Sequence, residues 1–542
     1  MEVRVIRWGV LVGMLVALVA ALAAAPGEQG TAIRPEVECA ELVRDFAIPG
    51  TRAHVTQAEV VAEGDEAAHC AVLGYVEPEV RFHLKLPTTT YTGRYLQYGC
   101  GGFCGELVSP AFPDCGPEIG GLAVATTDDG HVGRGTVRSA DGRPAAANQA
   151  ARDDFAFRAP HVVSMAAKQV IEDFYGDPPS FSYFAGCSNG GREGLLLAQR
   201  YPDDFDGIIA GAPANYQTPL VLYQAWLART NTGADGLPVL TADLLPLLHD
   251  AVMRHCDRLD GLVDDQIDDP RRCDYDPAPL KCTADGGKCL TPAQLDVVRK
   301  LYAGPKDARG KRLYPAGQER GSEPAWVDWI TPTTDARAAT FSALLADNFL
   351  KHMAFPVGSP GSSLADVEFT AEEFARLNVE GVRGNAMSLD LDEFRDAGGK
   401  LILWHGWGDQ GVPPRALLDY YARLEQRDGG DVRSWARLFM VPGLHHCGGG
   451  GTLTGFDPIR ELLAWVEQGA APDRVIATGR DADGDAVRTR PVFPYPLTAR
   501  YDGTGSVDDA ANFEPAPPAE PTRDAVDWVG VYLHEKPGPV AP

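Results

Sequence analysis

The sequence predicts an α/β fold on a parallel sheet, and two observations carry the prediction. Short apolar runs alternate with stretches of helical periodicity, the pattern of consecutive βαβ units. That pattern occurs twice, in separated stretches, so a single sheet is interrupted by an insertion. The chain has 542 residues, 44% of them hydrophobic, which is enough material for a large core.

In the first stretch, residues 95–98 and 122–125 read as strands. Val162, Val163, Met165, Ala166, Val170 and Ile171 recur at helical spacing; 181–185 is then a strand, 193–200 a helix and 208–210 a strand. In the second stretch, 400–404 and 438–441 are strands with a helix over 414–425 between them, and another helix follows near 459–467. The expected organisation is a discontinuous main domain over 26–215 and 400–512, with a large inserted lid domain over 216–399. A Pro-rich tail over 513–542 is expected to cross the surface or to be partly disordered.

Residues 1–25 read as an export signal: Arg4 and Arg7 precede an apolar run over 10–25 that ends in alanines. Pro26 shifts the expected cleavage site by a residue or two. An uncleaved anchor is the alternative, because the run approaches the length that spans a bilayer. No later segment is long and apolar enough to do so, and a secreted or periplasmic protein is expected. The net charge of −26, from 75 acidic and 49 basic residues, comes without a compact Lys/Arg run and excludes nucleic acid as a partner.

Eleven cysteines in an exported chain imply disulfides, with at least one left unpaired in a monomer. None of their spacings makes a zinc site.

The chemistry starts at Gly186-Cys187-Ser188-Asn189-Gly190, which follows one predicted strand and precedes a helix. Gly-x-Ser-x-Gly in that context is the nucleophile turn of an α/β-hydrolase fold: small residues allow a sharp bend that lifts the serine hydroxyl above the sheet. A serine hydroxyl needs a base to take its proton, and the base needs a carboxylate, in the chain order Ser, Asp, His. Asp409 lies just after the strand 400–404. His446 lies just after the strand 438–441, with His445 and His405 as rival bases. Cys187 and Cys447 decide among them, since one precedes Ser188 and the other follows His446. A disulfide between them would tie nucleophile to base, and closing so long a loop contributes on the order of 5 kcal/mol.

These motifs resemble the tannase and feruloyl esterase family, which also includes a hydrolase of a terephthalate monoester. The resemblance runs through Gly186-Cys187-Ser188-Asn189-Gly190-Gly191-Arg192-Glu193-Gly194, Gln199-Arg200-Tyr201-Pro202, His405-Gly406 with Asp409, and Pro442-Gly443-Leu444-His445-His446-Cys447. Arg488-Thr489-Arg490-Pro491 extends it toward the C-terminus. It covers about 39–512 and implies Ser188, Asp409 and His446 as the triad, linked by Cys187–Cys447. His445 and His405 become supporting residues.

An oxyanion needs donors. One is expected from the backbone N–H of Asn189, the other from the Gly-rich loop Gly99-Cys100-Gly101-Gly102-Phe103, where the resemblance points to Gly102.

Asp257, Asp260, Asp264, Asp265, Asp268 and Asp269 crowd one stretch, and crowded carboxylates favour a hard cation, although the spacing is not that of an EF-hand. The resemblance implies a structural calcium held by the side chains of Asp257, Asp260 and Asp264 and the carbonyls of Leu262 and Gln266. It also implies the pairs Cys39–Cys70, Cys256–Cys273 and Cys282–Cys289, leaving Cys100, Cys104 and Cys115 with at most one bond among them. The family's last disulfide has no counterpart here, where Val492 and Phe493 stand in its region.

The expected activity is ester hydrolysis through an acyl-enzyme, without an organic cofactor. The resemblance implies hydroxycinnamoyl esters of plant polymers, with galloyl esters or a terephthalate-type monoester as alternatives. Trp326 and Trp329 are candidates to stack on the acyl ring. From other classes, an acyltransferase or peptidase and a non-catalytic polyphenol-binding protein stay open.

Overall fold

The computed structural model describes residues 31–62, 67–283, 287–333, 339–430, 432–519 and 523–540. The expected export signal over 1–25 lies outside the described residues.

Ten strands form the central sheet: β1 (Asp45–Ile48), β2 (Thr51–Val61), β3 (His69–Val76), β4 (Val80–Pro87), β5 (Tyr91–Tyr98), β6 (Gly121–Thr127), β7 (Phe181–Cys187), β8 (Gly207–Gly211), β9 (Lys400–Gly406) and β10 (Ala436–Val441). Their order across the sheet is β1-β2-β3-β4-β6-β5-β7-β8-β9-β10. From β6 to β10 all neighbours are parallel, and from β1 to β6 the pairings on the other side are antiparallel. The parallel half is the α/β architecture that the alternating pattern predicts.

The parallel strands read as continuous apolar runs because helices cover both faces. The helix Ala159–Tyr175 buries Val162, Val163, Ala166, Val170 and Ile171 against the sheet, and Gly176 ends it in the left-handed conformation. β8 and β9 are neighbours in space, with Gly211 opposite Trp404, although nearly two hundred residues separate them in sequence. The intervening chain carries the helices Gln217–Thr230, Leu245–Cys256, Pro292–Ala303, Phe341–His352 and Ala371–Gly381.

The parallel register aligns the C-terminal ends of the strands that matter. Tyr98 pairs with Ala185, Cys187 with Gly211, and Val441 with Gly406. β5 sits between β6 and β7, so the chain crosses over there, and the loops leaving β5, β7, β9 and β10 emerge at one edge. That crevice is where open α/β sheets place their ligands.

Three features differ from the sequence reading. The antiparallel strands β1 to β4 were not expected; they alternate buried and exposed residues instead of running apolar. Two further hairpins, β11 (Val475–Arg480) with β12 (Ala486–Val492) and β13 (Thr498–Tyr501) with β14 (Phe513–Ala516), follow the last helix. The expected surface tail is corrected most strongly: Trp528 is 1% exposed, stacks on Tyr216 with centroids 5.4 Å apart, and packs in the core with Leu533. A short apolar cluster outweighs the Pro-rich average around it.

The cysteines pair as Cys39–Cys70, Cys187–Cys447, Cys256–Cys273, Cys282–Cys289 and Cys100–Cys104. Cys115 is the buried free thiol among the described residues. Val492 and Phe493 are both buried.

Candidate active site

Ser188 sits between β7 and the helix Asn189–Arg200 at φ 63°, ψ −119°, a backbone conformation that L-residues rarely adopt. The turn requires glycine beside it: a Cβ on Gly186 would meet the Gly190 carbonyl carbon at 2.4 Å. Ser188 also occupies the N-cap of the helix, where unpaired N–H groups and the helix dipole favour negative charge. Among the described residues its hydroxyl makes no hydrogen bond, and it lines a cavity of about 750 Å³.

Asp409 follows β9 and is fully buried. Its Oδ1 accepts from the N–H groups of Gly411 (2.8 Å) and Val412 (2.7 Å), and its Oδ2 lies 2.7 Å from His446 Nδ1. Burial pushes this acid up, but the His446 and His405 rings beside it prevail and hold it well below the usual carboxylate range. His446 follows β10, its backbone N–H donates to Gln410 Oε1 at 3.3 Å, and its ring lines the same cavity as Ser188. The carboxylate thus fixes Nδ1 as the protonated ring nitrogen, which leaves Nε2 to act as a base.

The structure separates the three histidines. His405 is fully buried, its Nε2 placed 3.0 Å from Asp409 Oδ2 and 2.8 Å from the Val412 carbonyl. His445 lines a different, smaller pocket beside Trp407 and Gln266, and burial pulls its pKa down. Neither lines the cavity of Ser188. Cys187 and Cys447 are bonded with Cα atoms 5.8 Å apart, so the neighbours of Ser188 and His446 are covalently joined.

Gly102 lines the same cavity at φ +60°, and a Cβ there would meet the Ser139 carbonyl oxygen at 2.2 Å. Asn189 is the first residue of its helix, where an N–H has no partner within the helix. Both sequence-predicted donor positions line the same cavity as Ser188.

The insertion adds Gln217, Leu220, Val221 and Gln224 on one helix, Phe341 and Leu345 on another, and Trp329, while the main domain adds Glu106, Val108, Ser109, Thr126, Thr127 and Ser139 among others. The Trp329 ring meets His446 edge to face at 5.2 Å, and its Nε1 donates to Gln224 Oε1 at 3.3 Å. Trp326, the other candidate for stacking, is core: it is fully buried and donates to Ser322 Oγ at 2.9 Å. Sequence reasoning missed the helix residues, since nothing in an apolar helical stripe says which side faces a ligand.

The family model for tannase and feruloyl esterase matches residues 60–516. The chain belongs to the tannase and feruloyl esterase family. Within that family it is 33% identical to the mono(2-hydroxyethyl) terephthalate hydrolase of Piscinibacter sakaiensis, over 83% of this chain and 85% of that one. It is 34% identical to an uncharacterized esterase of Xanthomonas campestris, over 82% of this chain and 84% of the other. The crystal structure of feruloyl esterase B from Aspergillus oryzae superposes with a TM-score of 0.73 at 26% identity, covering 87% of this chain and 98% of that one. As a member of the tannase and feruloyl esterase family with an α/β-hydrolase fold, the chain is a carboxylic ester hydrolase.

Proposed function

We propose that the protein is a secreted feruloyl-type esterase that cleaves hydroxycinnamoyl esters through an acyl-enzyme on Ser188. In this reading Ser188 Oγ attacks the ester carbonyl while His446 Nε2 takes its proton. Asp409 holds the resulting imidazolium, and the N–H groups of Gly102 and Asn189 stabilise the oxyanion. The alcohol leaves with the proton from His446, and water then repeats the sequence on the acyl-enzyme. The five disulfides support an oxidising compartment.

The observation that carries the choice of acyl group is the cavity lining. Leu220, Val221, Trp329, Phe341 and Leu345 form an apolar wall; Glu106 and several hydroxyls also line the cavity, and no Lys or Arg is present among the described lining residues. A terephthalate monoester would bury its second carboxylate there with no counter-charge. Gallate would bring three ring hydroxyls against that apolar wall, where the Gln224 amide is already engaged by the Gly411 carbonyl and by Trp329. A hydroxycinnamoyl group, with one phenol at the end of an apolar conjugated chain, matches this lining best, and plant polysaccharide or polyphenol esters are its natural sources.

We further infer that a structural calcium is held by Asp257, Asp260 and Asp264 side chains with the Leu262 and Gln266 carbonyls. Burial and the neighbouring Asp268 push the Asp260 acid up to about 7, the behaviour of an oxygen-rich cluster short of positive charge. Asp264 Oδ2 is already 2.8 Å from Arg490, and Asp257 Oδ1 accepts the Asp264 N–H at 3.2 Å, so the loop is folded around its carboxylates. When bound, the ion supplies neutralising charge there. Gln266 Oε1 accepts from Thr452 Oγ1 at 2.9 Å, which connects this loop to the segment just after His446.

The test is release of free acid from methyl ferulate, methyl gallate and mono(2-hydroxyethyl) terephthalate, with Ser188→Ala in parallel. Preference for ferulate that vanishes in the variant is expected. Preference for the terephthalate ester would overturn the acyl assignment, and turnover by Ser188→Ala would overturn the mechanism. Turnover of none of the three would favour the acyltransferase or binding-protein readings.

A further inference from the structure

Directly beneath the two oxyanion-hole positions lies a fully buried polar cluster that the mechanism above does not use. Glu193, Asp129 and Arg192 are all at 0% exposure. Glu193 stands one helical turn after Asn189, and its Oε1 accepts from Asn189 Nδ2 at 2.5 Å. The same carboxyl reaches the Gly-rich loop. The Cys100 N–H faces it, and its Oε1 lies 3.2 Å from Cys100 Sγ and 3.6 Å from Cys104 Sγ. A Cβ on Gly99 would meet its Oε2 at 2.6 Å, so the loop backbone lies directly against the carboxyl. The Asn189 side chain is held from the other end by Arg192, whose Nε donates to Asn189 Oδ1 at 2.7 Å.

Asp129 completes the cluster from the loop after β6, with Oδ2 3.3 Å from Cys104 Sγ and its carboxyl close to that of Glu193. Burial pushes both acids up, and the Glu193 charge raises Asp129 further, while Arg192 opposes the rise in both. Arg192 is the cation beside them, and it also donates to the Ala156, Phe155 and Gly384 carbonyls.

We propose that Glu193 is a positioning residue for the oxyanion hole: one buried carboxyl ties the Asn189 side chain to the Cys100–Cys104 loop, and so sets both N–H donors relative to Ser188. This rests on the serine-esterase reading given above. The Cys100–Cys104 bond has a place in the same device, because it stiffens the five-residue loop that presents Gly102. Donors aimed at an oxyanion act only once charge develops, so misplacing them lowers kcat and leaves KM nearly unchanged.

The experiment compares Glu193→Ala, Glu193→Gln and Asn189→Ala with wild type on methyl ferulate, together with an aryl trifluoromethyl ketone whose hemiketal with Ser188 carries the oxyanion. Glu193→Ala is expected to lose at least tenfold in kcat with KM within about twofold, and to lose affinity for the ketone by the same factor. Glu193→Gln keeps an acceptor oxygen for Asn189 and is expected to recover most of both. A folded Glu193→Ala enzyme with kcat within twofold of wild type overturns the proposal, as does a kcat loss with ketone affinity intact. If Glu193→Ala does not fold, Asn189→Ala decides, since it keeps the N–H but removes the side chain being held; undiminished kcat there overturns the proposal. Turnover persisting in Ser188→Ala would instead remove the esterase mechanism itself, which separates the two failures.

Discussion

Cys187 and Cys447 are 260 residues apart in the chain and bonded, with Cα atoms 5.8 Å apart, and each is the immediate neighbour of a residue placed at the reacting centre. The bond does what the sheet register alone cannot, since β7 and β10 are separated by β8 and β9. Replacing both cysteines by alanine is expected to cost on the order of 5 kcal/mol through restored unfolded-state freedom. Activity should fall further than the folded fraction does. Denaturation midpoints measured beside kcat would check this, and loss of stability with kcat per folded molecule intact would show the bond to be a staple only.

The contact between Asp409 and His446 gives a sharper expectation. Asp409→Asn keeps the acceptor for the Gly411 and Val412 N–H groups but can present a donor to His446 Nδ1, which favours the wrong ring tautomer. A fall of about 10⁴ in kcat with little change in thermal unfolding is expected, by analogy with serine proteases. Steady-state kinetics on methyl ferulate measures it. A loss under tenfold would mean that His446 is oriented by something else.

How much of this was legible in the sequence follows from where each residue sits. Ser188, Asp409 and His446 each follow an apolar parallel strand, and buried strands with Gly-rich exits are conspicuous. β2 is not conspicuous: Thr51–Val61 carries Thr, Arg, His and Gln because one face is wet, and nothing in it resembles an apolar run. Asp129 and Glu193 hide for another reason. They are two among 75 acidic residues, and only the folded chain shows that these two have lost water.

The C-terminal segment is the clearest case of composition misleading. Trp528 stacks on Tyr216 and donates to Asp419 Oδ2 at 3.2 Å, the same oxygen that accepts from the Tyr216 hydroxyl at 3.0 Å. Trp528→Ala is expected to destabilise by about 3–5 kcal/mol, the range for emptying a buried Trp site. Trp528 is not in the cavity lining, so kcat per folded molecule should hold. A midpoint shift in chemical denaturation measures the cost, and a change under about 1 kcal/mol would mean that the segment docks only loosely.

The acidic loop makes calcium and pH interchangeable in a defined direction. Folded Asp260 titrates near 7, raised by burial and by Asp268, whereas an unfolded carboxyl titrates near 4. Between those values the metal-free native state keeps a proton that the unfolded chain has released. Stability from this group is therefore lost as pH rises from about 4 to about 7. Calcium binds the ionised carboxylates and releases that proton, so its stabilising effect should grow over the same interval. Thermal unfolding in chelator and in millimolar calcium should give curves that nearly meet at low pH, separate as pH rises, and keep a steady gap above neutrality. Curves that coincide at pH 7.5 would remove the calcium site, and a constant gap at all pH would place the ion away from Asp260.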